Sequence, residues 1–264
     1  MTAENLHALP DAIKQRIEDE SLRVVQKIRS SSIAFVLIGG WAARAIAGRG
    51  HDRYTFDVDG VVDSKSTFSE LEDLLKEEGL KPSVSDWGCA FIKKLELPQQ
   101  LLEKLHKNQA DFVSEKCQIK LEFSTPRIYT IDKKHFFEFP MNKYEERQII
   151  SRGSRTSRVN VALPEYIVAS KLGVSDWKNI YDVGVLCGFA KLDRVVDVIR
   201  TCDNWSELVR RKIVRFRQEA EGKTNGTAYT LLKAKNLDRT YAEYLGKMQT
   251  LLTHVSSRVT SVTG

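Results

Sequence analysis

Two aspartates one residue apart, Asp57 and Asp59 in the string FDVDGVV, are the residues of this chain best placed to do chemistry. If that string is a strand, side chains at i and i+2 share a face about 7 Å apart, so both carboxylates point one way while Val58 points into the core. Two carboxylates held this close resist joint ionisation unless a cation neutralises them, and Mg²⁺, a hard ion that prefers carboxylate and phosphate oxygens, suits them. A third acid, Glu122, stands in the alternating run Lys120-Leu121-Glu122-Phe123, which also reads as a strand. A neighbouring strand would bring it beside the pair, and three carboxylates can hold two metal ions about 4 Å apart for phosphoryl transfer.

Gly39-Gly40 closes a short apolar run, Ala34 to Ile38, and opens a helix from Trp41 to Ala47 that Gly48 stops. Free backbone N–H groups at a helix N-terminus favour a phosphate, and the missing Cβ atoms allow close approach, although a tight turn explains a diglycine equally well.

The elements that must carry these groups follow from periodicity. Asp11 to Arg29 has the spacing of an amphipathic helix after Pro10, and Phe56 to Val62 alternates as a half-buried strand. Thr67 and Glu70 form a capping-box pattern for a helix through Glu78. Strands are expected at Cys89 to Leu97 and Ile119 to Phe123, with a helix from Gln99 to Lys107 between them, whereas the polar, basic Ser151 to Arg158 reads as a loop. From Pro164 onward the signals are helical. The expectation is an α/β fold, a palm with a mixed sheet over residues 1–163, followed by a helical domain over 164–264.

With 42% hydrophobic residues in 264 the chain can bury a real core, and no stretch approaches the ~20 apolar residues that span a bilayer. The N-terminus does not resemble a signal peptide, so a cytoplasmic protein without a membrane partner is expected. Four scattered cysteines without a CxxC pair indicate buried thiols rather than a zinc or disulfide framework. The formal charge of +6 favours polyanionic partners, nucleotide or RNA.

Taken together, IGGWAARA, RYTFDVDGVV, KLEF, LPEYIVASKLG and DWKNIYDVGVL resemble the polymerase-β-like nucleotidyltransferases, in particular their AbiEii-toxin-like minimal branch. That family carries a Gly-Gly or Gly-Ser turn and then Arg-x-Thr-x-Asp-x-Asp, matched here by Arg53, Thr55, Asp57 and Asp59. The resemblance implies an NTP substrate, Mg²⁺ bound by Asp57, Asp59 and Glu122, and transfer of a nucleotidyl group to a hydroxyl, with RNA as one acceptor. Glutamate at 122 departs from the commoner aspartate. It also implies that Lys171 and Lys178 grip the triphosphate and that Asp182 orients Lys178 from the same helix face.

Arg53 and Thr55 rank second, as phosphate contacts or loop supports. Trp41 reads as core, Asp63 as a turn residue, and His51, His106 and His135 as surface residues in polar surroundings. A helix from Trp205 would turn Trp205, Leu208, Val209, Ile213 and Phe216 to one side and Arg210, Arg211, Arg215 and Arg217 largely elsewhere, a basic face able to hold RNA phosphates or simply to be solvated.

Two rival readings stand beside this one. FDVDGVV also looks like the first motif of haloacid-dehalogenase-type phosphatases, although His51 to Thr55 interrupts the apolar strand expected before it and no downstream metal motif is present. A catalytically silent domain that binds nucleotide or nucleic acid is the other. Neither the oligomeric state nor the identity of the acceptor follows from the residues.

Overall fold

The computed structural model describes residues 9–85, 88–103, 107–129, 136–174, 176–202, 211, 213–221, 227–234 and 237–260. Helix α1 (Asp11–Ser30) starts after Pro10, as expected for a residue that cannot continue a preceding helix, and buries the stripe Ile13, Ile17, Leu22, Val25 and Ile28. The chain then runs β1 (Phe35–Ile38), α2 (Gly39–Ala47), β2 (Asp57–Val62), α3 (Ser66–Glu77), β3 (Lys81–Ser85), β4 (Gly88–Lys94), α4 (Gln99–Leu102), α5 (Lys107–Lys116) and β5 (Gln118–Ser124). Strands β6 (Arg127–Tyr129), β7 (Phe136–Glu138), β8 (Tyr144–Ile150) and β9 (Thr156–Ala162) complete this half. From Pro164 every described element is helical: α6 (Pro164–Leu172), α7 (Trp177–Leu186), α8 (Leu192–Arg200), α9 (Val214–Ala220), α10 (Thr227–Ala234) and α11 (Asp238–Thr260).

Among the described residues the strands form a seven-stranded mixed sheet, β3-β4-β5-β2-β1-β9-β8, with β6 and β7 as a separate hairpin. The fold is therefore the α/β class with a helical C-terminal region that the pattern of elements led one to expect. Strand β2 lies at the centre, antiparallel to β1 and parallel to β5. One face of the sheet is apolar: Phe35, Phe91 and Phe123 meet edge to face and Leu121 is fully buried. Helix α1 packs against β5 and β9 and α3 against β3 and β4, each fully buried side chain contributing about 1.5–3 kcal/mol. Gly60 belongs to this face, where a Cβ would come within 2.8 Å of the Phe123 ring. The pleat turns Asp57, Asp59, Lys120 and Glu122 to the opposite face.

Helix α2 links the two halves, since it touches β1, β2, β8, α6 and α7. Helices α7 and α8 both pack on α6, and α10 and α11 cover α7. Asp176 caps α7, its carboxylate accepting from the Asn179 backbone N–H at 2.8 Å.

Several local expectations change. Residues 151–158 are not a loop throughout: β9 begins at Thr156 and pairs with β8, leaving a short turn at 151–155. Within 151–158 the buried face of β9 is carried by Ser157 alone, and the apolar members of its period of two, Val159 and Val161, come only after that segment. Strand β3 was not expected, because KPSVS is short, carries a proline and lies at the sheet edge, where a missing N–H is tolerated. Thr67 does not cap α3. Lys65 is the N-cap, and the Thr67 hydroxyl, inside the first turn, donates to Asp63 at 2.5 Å. Of the helix expected from Gln99 to Lys107, α4 takes Gln99–Leu102 and α5 starts at Lys107, while 104–106 lie outside the described residues.

Candidate active site

Asp57 opens β2 and Asp59 follows at i+2, with Glu122 the register partner of Asp59 on β5 and Lys120 that of Asp57. Parallel neighbours in register share a face, so the sheet lays two acids on one strand beside a base and an acid on the next. Burial is the largest influence on both aspartates and raises both carboxyls. Asp59, with Asp57 and Glu122 beside it, is pushed up to about 8. One oxygen of Asp57, Oδ1, is buried without a hydrogen-bond partner. Lys120 Nζ lies 2.9 Å from Glu122 Oε2.

The diglycine has a role different from the expected one. A Cβ on Gly39, whose φ is +70°, would come 2.0 Å from Asp59 Oδ2, and one on Gly40 would meet the Arg53 guanidinium at 2.6 Å and Thr55 Cγ2 at 2.7 Å. The absent side chains make room for the protein's own acid and arginine. Thr55 is buried with its hydroxyl oxygen unpartnered.

Beside the acid face lies a second cluster centred on Asp182, which is fully buried on α7. Arg53 grips it with two bonds, Nε to Oδ1 and Nη2 to Oδ2, both 2.5 Å. Lys171 Nζ lies 2.7 Å from Oδ2 and also donates to Asn179 Oδ1 at 3.1 Å. Burial alone would raise the Asp182 carboxyl, but Arg53 and Lys171 reverse this and hold it well below the usual carboxylate range. His51 Nε2 stands 2.9 Å from Asp182 Oδ1. Burial pushes the His51 pKa down, which leaves the ring neutral, donating through Nε2 with Nδ1 buried and unpartnered. Arg44 fastens the segment by donating to the Arg53 carbonyl at 3.2 Å, and Tyr181 accepts from the Asp52 N–H at 3.0 Å.

The fold therefore gathers Asp57, Asp59, Glu122, Gly39, Gly40, Arg53, Thr55, Lys171 and Asp182 around α2 and the centre of the sheet, and two expectations are corrected. Asp182 does not orient Lys178: the spacing of four residues is right, but Asp182 faces inward to Arg53 and Lys171, and Lys178 has no ion-pair partner among the described residues. Lys178 still influences Asp57 electrostatically, as does Arg53. His51 is not a surface residue; its polar sequence neighbours disguised a buried ring packed edge-on to Tyr181, 5.5 Å between centroids. Trp41 is core as expected, and all four cysteines are buried thiols outside any disulfide. His106, His135 and Trp205 to Arg210 lie outside the described residues.

Two residues escaped the sequence reading. Lys120 was within its reach, because KLEF alternation puts it on the face of Glu122. His51 was not, since its partner lies 131 residues away.

The donor set fits a hard divalent cation at Asp57 and Asp59, whose carboxyls are raised by burial, one of whose oxygens is unpartnered, and which form no ion pair among the described residues. Glu122 is next to them but engaged by Lys120, and no three His, Cys, Asp or Glu side chains among the described residues converge as a ready-made metal site. The dehalogenase-type reading requires its first aspartate at the carboxyl end of a strand in a parallel sheet. Here Asp57 is the first residue of β2, and β2 runs antiparallel to β1.

No protein-family model and no curated protein matches the chain. Among solved structures it is similar to the antibiotic-resistance factor ANT(2'')-Ia in solution, with 15% identity and a TM-score of 0.45 over 80% of this chain and 96% of that one. The same factor in complex with adenylyl-2''-tobramycin gives 15% and 0.43 over 74% and 93%. JHP933 from Helicobacter pylori gives 14% and 0.46 over 94% and 96%.

Proposed function

We propose that the chain is a Mg²⁺-dependent nucleotidyltransferase, of the AbiEii-like minimal kind that its motifs resemble, which transfers a nucleotidyl group from an NTP to a hydroxyl acceptor. The observation that carries this reading is the acid face at the centre of the sheet, Asp57 and Asp59 with Glu122 in register beside Asp59. In this scheme Asp57 and Asp59 hold the cation, and Glu122 joins them. Bound there, Mg²⁺ would neutralise the polyphosphate and lower the pKa of the acceptor hydroxyl.

The chain's own groups do the positioning. Lys178, free of Asp182 and partly buried beside the acids, contacts the triphosphate. Lys171 and Arg53 are fixed on Asp182 and set the positive wall against which the phosphates lie. Thr55 offers its unpartnered hydroxyl, and Gly39 and Gly40 keep α2 close enough for Asp59 and Arg53 to reach the same space. The acceptor oxygen bonds to the α-phosphorus and the α–β anhydride bond breaks. Pyrophosphate leaves and a carboxylate of the cluster takes the hydroxyl proton. Most of the acceleration then comes from positioning and electrostatics.

RNA is the acceptor to try first, given the net charge of +6. Protein, Mg²⁺, each α-³²P-labelled NTP and total cellular RNA are incubated beside the Asp57→Asn/Asp59→Asn double mutant. Label passed to RNA by the wild type alone is the expected result and names the base. Equal labelling by both proteins would remove the acids from the mechanism.

A further inference from the structure

The acid face contains a cation of its own. Lys120 is the register neighbour of Asp57, and its ammonium is 2.9 Å from Glu122, two residues along the same strand, so it lies on the face whose acids would have to share a metal and acts on both aspartates. Among Arg53, Lys171, Lys178 and Lys120, the cations that act on these acids, it alone forms an ion pair with one of them among the described residues. Arg53 and Lys171 are locked on buried Asp182, and either one leaving would strand that charge. Lys178 has no such pair to release among the described residues. The Lys120 side chain is 28% exposed and Glu122 18%, so Lys120 can swing its charge into water without burying anything unpaired.

We infer that Lys120 is an internal counter-ion that competes with a divalent cation for Glu122, so that the three carboxylates share a cation only after its ammonium lets go. The inference rests on the proposed metal-binding reading of the acid face. An ammonium supplies one positive charge where a divalent ion supplies two, so it steadies the acids without satisfying them, in keeping with the bare Asp57 oxygen and the raised Asp59. Cation affinity is thereby lowered and made responsive to anything that offers Lys120 a better partner. The polyphosphate of an incoming nucleotide is such a partner, and binding of nucleotide and cation would reinforce each other.

The test is a Mn²⁺ titration near neutral pH, followed by the electron paramagnetic resonance signal of the free ion. It compares wild type, Lys120→Met, Lys178→Met and Asp57→Asn/Asp59→Asn. Removing a charge in direct contact should tighten Mn²⁺ binding by about tenfold or more in Lys120→Met, whereas Lys178→Met, which removes a nearby charge but no ion pair, should move it far less. Equal affinity of Lys120→Met and wild type, with binding lost in the double aspartate mutant, would overturn the counter-ion role and leave the metal site standing. Equal tightening in both lysine variants would also overturn it, by reducing the effect to through-space charge. Binding that is absent from every protein, or unchanged in the double aspartate mutant, would defeat the metal-site reading and this inference with it. Lys120→Gln, which keeps a polar group against Glu122, carries the same expectation should the methionine variant not fold.

Discussion

Two aspartates of this fold, Asp182 on α7 and Asp59 on β2, have opposite fates. Asp182 is entirely buried yet strongly acidic, because Arg53 and Lys171 surround it and His51 donates a further hydrogen bond. Asp59 is less buried by surface area yet hard to ionise, because burial raises its carboxyl and Asp57 and Glu122 act on it more strongly than the compensating Lys171 and Lys120. Burial sets the size of the stake in both places, and partners decide its sign. A saturated cluster is a structural device. An unsaturated one, left under-neutralised on a rigid sheet, is where a ligand can bring what is missing.

The comparison can be broken most severely at Asp182. Asp182→Ala leaves Arg53 and Lys171 buried without their anion and should destabilise the protein by about 3–5 kcal/mol, read by urea denaturation. A loss under about 1 kcal/mol would mean that the cluster is far more hydrated than its burial indicates.

A smaller effect is expected at Gly39. Alanine there must adopt φ +70° and push on the Asp59 carboxylate, which should cost about 1–3 kcal/mol. It should also weaken Mn²⁺ binding without altering a single charge. Unchanged stability and affinity would show that the carboxylate has somewhere else to go.

The mildest test sharpens the contrast through pH. With its folded carboxyl at about 8 against an ordinary 3.8, Asp59 retains a proton in the folded state that the unfolded chain has lost. In metal-free protein its contribution therefore makes stability fall as pH rises from about 4 to about 8. Asp182 has the opposite sign: its depressed carboxyl adds stability above the ordinary value of 3.8, which is lost as pH falls below it. Asp59→Asn should accordingly raise the Tm of metal-free protein near pH 8 by roughly 2–4 °C, with the gain vanishing toward pH 4. A gain that is constant across that range would assign the effect to something other than the carboxyl proton.

The amino-acid string revealed the strands that matter most and not their neighbours. The alternation of FDVDGVV and KLEF put Asp57, Asp59 and Glu122 on polar faces correctly, because a period of two is local. That β5 lies beside β2, with β3 and β4 beyond it, is a consequence of packing and no residue spacing announces it. The same limit explains the error at Asp182. A four-residue spacing on a helix is visible and suggested Lys178, whereas the partners that hold it, Arg53 and His51, come from a segment about 130 residues earlier. The diglycine was legible as a turn before a helix, but its reason, room for Asp59 and Arg53, required the third dimension.

The pairing of β2 with β5 has a consequence for how the protein comes to exist. Asp59 and Glu122 are register partners although two strands and three helices intervene along the chain. Closing so long a loop is entropically expensive, so this pairing belongs among the slow, non-local events of folding rather than the early local ones. No short peptide containing Asp57 and Asp59 can reproduce the site, and during synthesis the acids emerge long before their partner does. The proposed capacity to hold a cation would thus appear late, together with the finished sheet, so that a divalent ion bound there would stabilise the completed fold and not its precursors.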